Sequence, residues 1–297
     1  MPIRQAQGKQ KIVPHLWFDK EAKEATAFYT SLFPNSKITN VNTVTGTPSG
    51  DCDVVSFELA GQSFQAISAG PYFKFTPAIS FFVCCDTKEE VDALWAKLTE
   101  GGAVMMELGK YPFSEHYGWT SDKYGLSWQI MYMGGQKYEQ KLIPALLFVG
   151  DVCGKVEEAM NFYISVFSAK GGSASGGKNS KVNYVMKYGK GEEPDKEGTI
   201  KHAGFILEGQ QFAAMDSAHQ HKFTFNEAVS LIMNCDTQEE IDYYWEKLSA
   251  HPENEQCGWL KDKFGVSWQI VPTAMNEMMA TKDKAVLDPA SRRRFLK

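Results

Sequence analysis

Apolar and polar positions follow two rhythms along the first 132 residues. Short runs at residues 11–18, 36–44, 53–59, 63–68, 78–84, 103–108, 117–121 and 127–132 are rich in β-branched and aromatic residues and bounded by Gly-containing turns, which predicts strands. Between the first two runs, Ala22, Ala25, Phe28 or Tyr29, and Leu32 recur at helical spacing. A helix is expected over 20–33, with Asp19 as its N-cap and Pro34-Asn35 as its stop. Between the fifth and sixth runs, Val91, Leu94, Trp95 and Leu98 form a helical stripe. Thr87 and Glu90 have the spacing of a capping box, and Gly101-Gly102 ends the helix. Strand, helix and three strands therefore occur twice in succession.

The whole pattern then recurs. Cys85-Asp86-Thr87-Lys88-Glu89-Glu90 returns as Cys235-Asp236-Thr237-Gln238-Glu239-Glu240, and the segment Gly118 to Ile130 returns as Gly258 to Ile270. Phe28-Tyr29 with Phe33 matches Phe162-Tyr163 with Phe167, and Ile241, Tyr244, Trp245 and Leu248 repeat the second helix face. A period of about 140 residues is too long for a solenoid repeat and marks a tandem domain duplication. The expected division is a first domain at 1–138, a second at 139–273 and a tail at 274–297, with four βαβββ units in all. The Gly/Ser-rich stretch 170–181 reads as a surface loop, with an active-site lid as its functional alternative, and 187–196 adds a second polar stretch. The tail, with Met275, Met278, Met279 and Arg292-Arg293-Arg294, reads as a packing or swapped segment ending in a solvated basic patch.

A four-stranded unit has one apolar face and open edges, so two units must pair to bury them. Alternation along each strand then sends one set of side chains to the helices and the other into a shared hollow. The tandem copies form an internal pseudo-dimer on this reading, which favours a monomeric chain.

Composition narrows the function classes. Of the residues, 43% are apolar and 23% charged, and the net charge is −5. This acidic balance speaks against nucleic acid as a partner. No apolar run is long enough for a bilayer, and residues 1–11 lack the apolar stretch of a secretory signal, so a cytoplasmic protein without membrane partners is expected. Cys52, Cys84, Cys85, Cys153, Cys235 and Cys257 contain no C-x-x-C pair and read as small buried thiols.

Four segments together resemble one family. Pro14-His15-Leu16-Trp17-Phe18, Phe28-Tyr29-x-x-Leu32-Phe33-Pro34, Phe64-x-Ala66-Ile67-Ser68-Ala69-Gly70-Pro71 and Gly118-Trp119-x-x-Asp122-Lys123-x-Gly125-x-Ser127-Trp128-Gln129-Ile130 are similar to the PhnB-like family of the vicinal oxygen chelate superfamily. The resemblance covers residues 11–133 and, more loosely, 141–272. It implies an α+β fold of paired βαβββ modules, the glyoxalase/bleomycin-resistance/dihydroxybiphenyl dioxygenase fold. The family also carries a 3-demethylubiquinone 3-methyltransferase label, but no Gly-rich strand-to-helix loop suited to S-adenosylmethionine occurs in the chain.

Metal-dependent members of the superfamily place His, Glu or Gln on inward strand positions. Carried onto this chain, the resemblance puts His15 at the first-strand ligand position and Gln129 where a last-strand Glu would stand. Gln65 is the nearest polar candidate on the fourth strand, and Ala78 falls at a position that cannot bind metal. A set of His15, Gln65 and Gln129 brings no negative charge to a divalent cation. In the second copy Ala145 replaces His15, while Gln269 keeps the amide. The first copy is therefore expected to hold the better pocket.

The function read from these residues is binding of a small aromatic or oxygenated ligand in a curved-sheet cavity, with no cofactor. His15, Gln65, Trp119, Trp128 and Gln129 are the expected ligand contacts. Alternatives are a divalent-metal lyase, isomerase or dioxygenase-like enzyme using His15, and a methyltransferase on the family label alone. Whether the chain is an enzyme stays open; His15 and the neighbours Glu115 and His116, placed in a loop before Trp119, are the catalytic candidates. Trp119, Trp128, Trp259 and Trp268 would either stack on a ligand or fill the space between sheet and helix. Asp122-Lys123-x-Gly125 and Asp262-Lys263-x-Gly265 read as hairpin turns. His219-Gln220-His221 would put two imidazoles on one face of an extended segment, suited to adventitious surface metal.

Overall fold

In the computed structural model of the chain, residues 10–47, 50–168 and 179–273 are described. The first module comprises β1 (Ile12–Phe18), α1 (Ala22–Leu32), β2 (Lys37–Thr47), β3 (Gly50–Leu59) and β4 (Gln62–Ser68). The second comprises β5 (Ile79–Cys85), α2 (Lys88–Leu98), β6 (Ala103–Tyr111), β7 (Ser114–Ser121) and β8 (Ser127–Tyr132). The third comprises β9 (Leu142–Phe148), α3 (Val156–Ser168), β10 (Lys181–Lys187), β11 (Ile200–Leu207) and β12 (Gln210–Asp216). The fourth comprises β13 (Val229–Cys235), α4 (Gln238–Leu248), β14 (Trp259–Lys261) and β15 (Ser267–Pro272).

The fourth module departs from the expected plan. Two strands rather than three follow its helix among the described residues. The stretch matching β6 is shorter, lacks alternation, and carries a single 3-10 turn at Pro252–Asn254. Proline there removes a ladder donor.

The strands form two mixed sheets, in the orders β14-β15-β13-β1-β4-β3-β2 and β10-β11-β12-β9-β5-β8-β7-β6. The junctions are antiparallel: β1 with β13, and β5 with β9. Each sheet thus joins one module from each copy, the first with the fourth and the second with the third. The fold is α+β, with the duplicated modules paired across the copies.

Helices α1 and α4 pack on the first sheet, α2 and α3 on the second. Their apolar faces and the helix-facing strand positions merge into one core that includes Trp128, Trp268, Tyr29, Tyr163, Phe81 and Phe148. The threonine caps form as expected, with Glu90 N donating to Thr87 Oγ1 over 3.1 Å and Glu240 N to Thr237 Oγ1 over 3.2 Å, while the glutamate side chains accept from Asp86 N and Asp236 N, one residue before the caps. Asp19 does not cap α1. The helix begins at Ala22, whose N–H donates instead to Ser68 Oγ, brought from the end of β4.

The modules of one copy meet at a buried carboxylate. Asp122 Oδ1 accepts from the N–H groups of Tyr124 and Leu126, and Oδ2 accepts from Tyr29 Oη at 2.7 Å and Trp128 Nε1 at 2.8 Å. Asp262 repeats the set with Phe264, Val266, Tyr163 and Trp268. The recurring Asp-Lys-x-Gly turn is thus both a hairpin turn and the anchor of a helix from the neighbouring module. Burial raises both carboxyl pKa values, against the pull of these donors.

Candidate functional site

On the strands, the residues that alternate with the core positions form an inner face turned away from the helices. In the first sheet a polar row crosses this face in register: Ser56, Gln65, His15, Ser230 and Ser267 lie opposite one another on β3, β4, β1, β13 and β15. The matching row of the second sheet is Gly204, Ala213, Ala145, Ser80 and Ser127. The two sheets share a topology at these positions and differ in chemistry.

His15 is buried, and that burial lowers its pKa to about 3, so its imidazole is neutral near pH 7. Its neighbours come from the second copy. Gln269 Nε2 donates to Ser230 Oγ over 2.9 Å, and Ser230 Oγ lies 3.4 Å from His15 Nδ1. Ser230 Oγ, with one proton and two lone pairs, accepts from Gln269 and has a second lone pair and its proton left to meet either tautomer of His15 at Nδ1. No hydrogen bond to Nε2 occurs among the described residues.

Aromatic rings border the imidazole. Trp259 meets His15 edge-on at 5.4 Å, and Trp17 meets Trp259 at 6.0 Å and Phe73 at 5.1 Å. Trp17 is fixed by donation from Nε1 to Gly70 O over 2.8 Å.

The expected ligand contacts do not converge. His15 and Gln65 are neighbours on the first sheet, but Gln129 and Trp119 lie on the inner face of the second. Gln129 is satisfied at both ends of its amide, accepting from Tyr117 Oη at 2.6 Å and donating to Ser80 Oγ at 2.8 Å. Trp119 donates to Ser127 Oγ. Trp128 alternates to the helix side, where it is wholly buried beside Tyr29 and Phe81. The surroundings of His15 are also not a property of the first copy alone, because β1 pairs with β13.

Glu115 and His116 lie within β7 rather than in a loop, and successive strand residues point to opposite faces. His116 Nε2 lies 2.6 Å from Asp92 Oδ1 on α2, while Glu115 is exposed and paired with Lys110, which lowers its pKa. They form no acid–base pair. The rings of His219 and His221 are 6.3 Å apart; the first lies 3.9 Å from Asp195 and the second hydrogen-bonds Ser217. Cys153 is half-buried and Cys257 exposed, against the expectation of buried thiols throughout; Cys52, Cys84, Cys85 and Cys235 are buried. The expected loop from 170 to 178 and the tail from 274, with its methionines and arginines, lie outside the described residues.

Two groups on the inner faces escaped sequence reasoning. Ser230 had a signal in its recurrence: Ser80 and Ser230 occupy matched positions and each accepts from the matched glutamine. His202 had one in its phase, since Ala203, Phe205 and Leu207 are core positions and His202 alternates with them. It stacks on Tyr184 with rings 3° from parallel, meets Phe82 at 5.5 Å, and has its pKa lowered to about 4 by burial.

The residues at the superfamily's metal position do not fit a divalent cation. No three His, Cys, Asp or Glu side chains converge among the described residues. Among the described residues paired with His15 or hydrogen-bonded to its partners, the polar groups are the hydroxyl of Ser230 and the amides of Gln65 and Gln269.

A family described as 3-demethylubiquinone-9 3-methyltransferase matches residues 10–131 and again residues 140–271. The chain belongs to this PhnB-like family. No curated protein matches it. Among solved structures, the PhnB protein from Bacillus cereus is 42% identical over 41% of this chain and 99% of its own, with a TM-score of 0.39. A glyoxalase I variant from Zea mays covers 90% of this PhnB-like chain and 96% of its own at 11% identity and a TM-score of 0.54. A dioxygenase-like protein from Bacillus subtilis covers 97% and 96% at 11% identity and a TM-score of 0.53. The last two share the vicinal oxygen chelate fold across both repeats. No helix among the described residues is long and apolar enough to cross a membrane.

Proposed function

We propose that this PhnB-like chain binds a small, uncharged, oxygenated aromatic molecule on the inner face of its first sheet, without a catalytic metal. The observation that carries this reading is the state of His15: a buried, neutral imidazole whose Nδ1 faces Ser230 and whose Nε2 makes no hydrogen bond among the described residues. In the Nε2–H tautomer, a carbonyl or ether oxygen would accept from that nitrogen. The ligand ring would lie against Trp17 and Trp259, in keeping with the aromatic lining of small-molecule sites. Gln65, in register beside His15, supplies a second polar contact. The two repeats, 1–138 and 139–273, serve as the halves of a pseudo-dimer, and each half contributes to the same site.

A thermal-shift screen of small aromatic and vicinally oxygenated compounds tests this reading, because a ligand that binds only the folded state raises its stability. Hits that shift the wild-type chain and fail to shift His15→Ala are expected. Hits indifferent to that substitution would contradict it.

A further inference from the structure

The duplication supplies an internal control at a second place, independent of the inner faces. In the second copy the seam between α3 and α4 is closed by Tyr243, whose hydroxyl donates to Val166 O over 2.9 Å in the last turn of α3. Tyr244 packs beside it on Phe167, with ring centroids 5.2 Å apart. The charge of Lys247, one turn further on, acts on the Tyr243 phenol.

In the first copy the matched positions on α2 are Ala93, Leu94 and Lys97, and the matched carbonyl is Leu32 O on α1. The lysine is kept and both tyrosines are gone. A groove of about 490 Å³ lies there, lined by Phe28, Ser31, Leu32, Ala93, Leu94 and Lys97 among others. Carbonyls of a helix's last turn have no partner within the helix, and Pro34, two residues on, has no N–H to offer.

We propose that the groove between α1 and α2 is a binding site for a small free phenol. The ring lies against Phe28, Ala93 and Leu94. The hydroxyl donates to the Leu32 carbonyl, as Tyr243 donates to Val166, and Lys97 stands where Lys247 stands. The second copy thus carries its occupant covalently, and the first copy takes it from solution.

p-Cresol is the probe, titrated into the full-length protein with the alanine methyl groups labelled with ¹³C. A saturable shift of the Ala93 methyl signal is expected in the wild-type chain, and it is retained in His15→Ala. Filling the groove with Ala93→Tyr, or narrowing it with Ala93→Leu should that variant fail to fold, weakens p-cresol at least about tenfold, measured calorimetrically. An Ala93 signal that does not move, or an affinity that neither substitution lowers, overturns the proposal.

Discussion

His15 Nδ1 and Ser230 Oγ lie 3.4 Å apart although 215 positions separate the two residues in the chain. The contact exists because β1 and β13 pair antiparallel and set these residues opposite one another. It joins the two repeats at the one inner-face position where the first copy has an imidazole and the second has Ala145. The site chemistry and the duplication are therefore one structural fact.

Burial of His15 makes stability depend on pH in a stated direction. The folded pKa of about 3 lies below the ordinary 6.5, so between these values the unfolded chain binds the proton and the folded chain does not. Stability therefore falls as pH drops below about 6.5. His202, at about 4, acts in the same sense over a narrower window. For His15 the full effect is on the order of 5 kcal/mol. Denaturant melts from pH 7 to pH 4 should show His15→Gln losing stability less steeply than the wild-type chain; equal slopes would contradict the buried neutral state.

Asp122 fastens α1 to the turn before β8 through four donors. Asp122→Asn turns an acceptor oxygen into an NH₂ group facing donors, and the expected cost is about 3 kcal/mol, read as a lowered denaturation midpoint. Asp262→Asn should cost a similar amount through Tyr163 and Trp268. A neutral outcome at both sites would show that the buried carboxylates do not hold the modules together.

These two cases show what the sequence made legible. The modules, the capping boxes and the Asp-Lys-x-Gly turns were readable because each depends on residues within a few positions of one another. Ser230 and Gln269 as neighbours of His15 were not, because strand pairing across the copies is a long-range choice that alternation leaves open. The same gap explains why Gln129 and Trp128 were grouped with His15. Gln129 belongs to the other sheet, and Trp128 lies one position out of phase with the inner face. Asp19 does not cap α1, and the N–H of Ala22 is met instead by Ser68, which is distant in sequence.

Separating the copies should expose what the duplication joins. A fragment of residues 1–138 leaves the pairing edges of β1 and β5 without β13 and β9. It is expected to run as a homodimer by light scattering, whereas a stable monomeric fragment would argue against pairing across the copies.

Metal should be dispensable. Protein purified without chelators is expected to hold no stoichiometric divalent ion, and its melting temperature should not change on treatment with EDTA. A tightly held ion lost together with His15→Ala would reverse the reading of the site.

Cysteine labelling checks the burial pattern. Cys257 is exposed, whereas burial raises the pKa of Cys84 to about 11 and that of Cys85 to about 12. In the native state a thiol reagent should modify Cys257 first by peptide mass analysis, and Cys84 and Cys85 only after unfolding.

The most direct measurement is a double-substitution cycle on ligand affinity, with His15→Ala from the first repeat and Gln269→Ala from the second. For a compound that stabilises the wild-type chain, each single change should weaken binding, and the double change should cost less than the sum, because both act through Ser230. Full affinity in both single variants would contradict a site shared between the repeats.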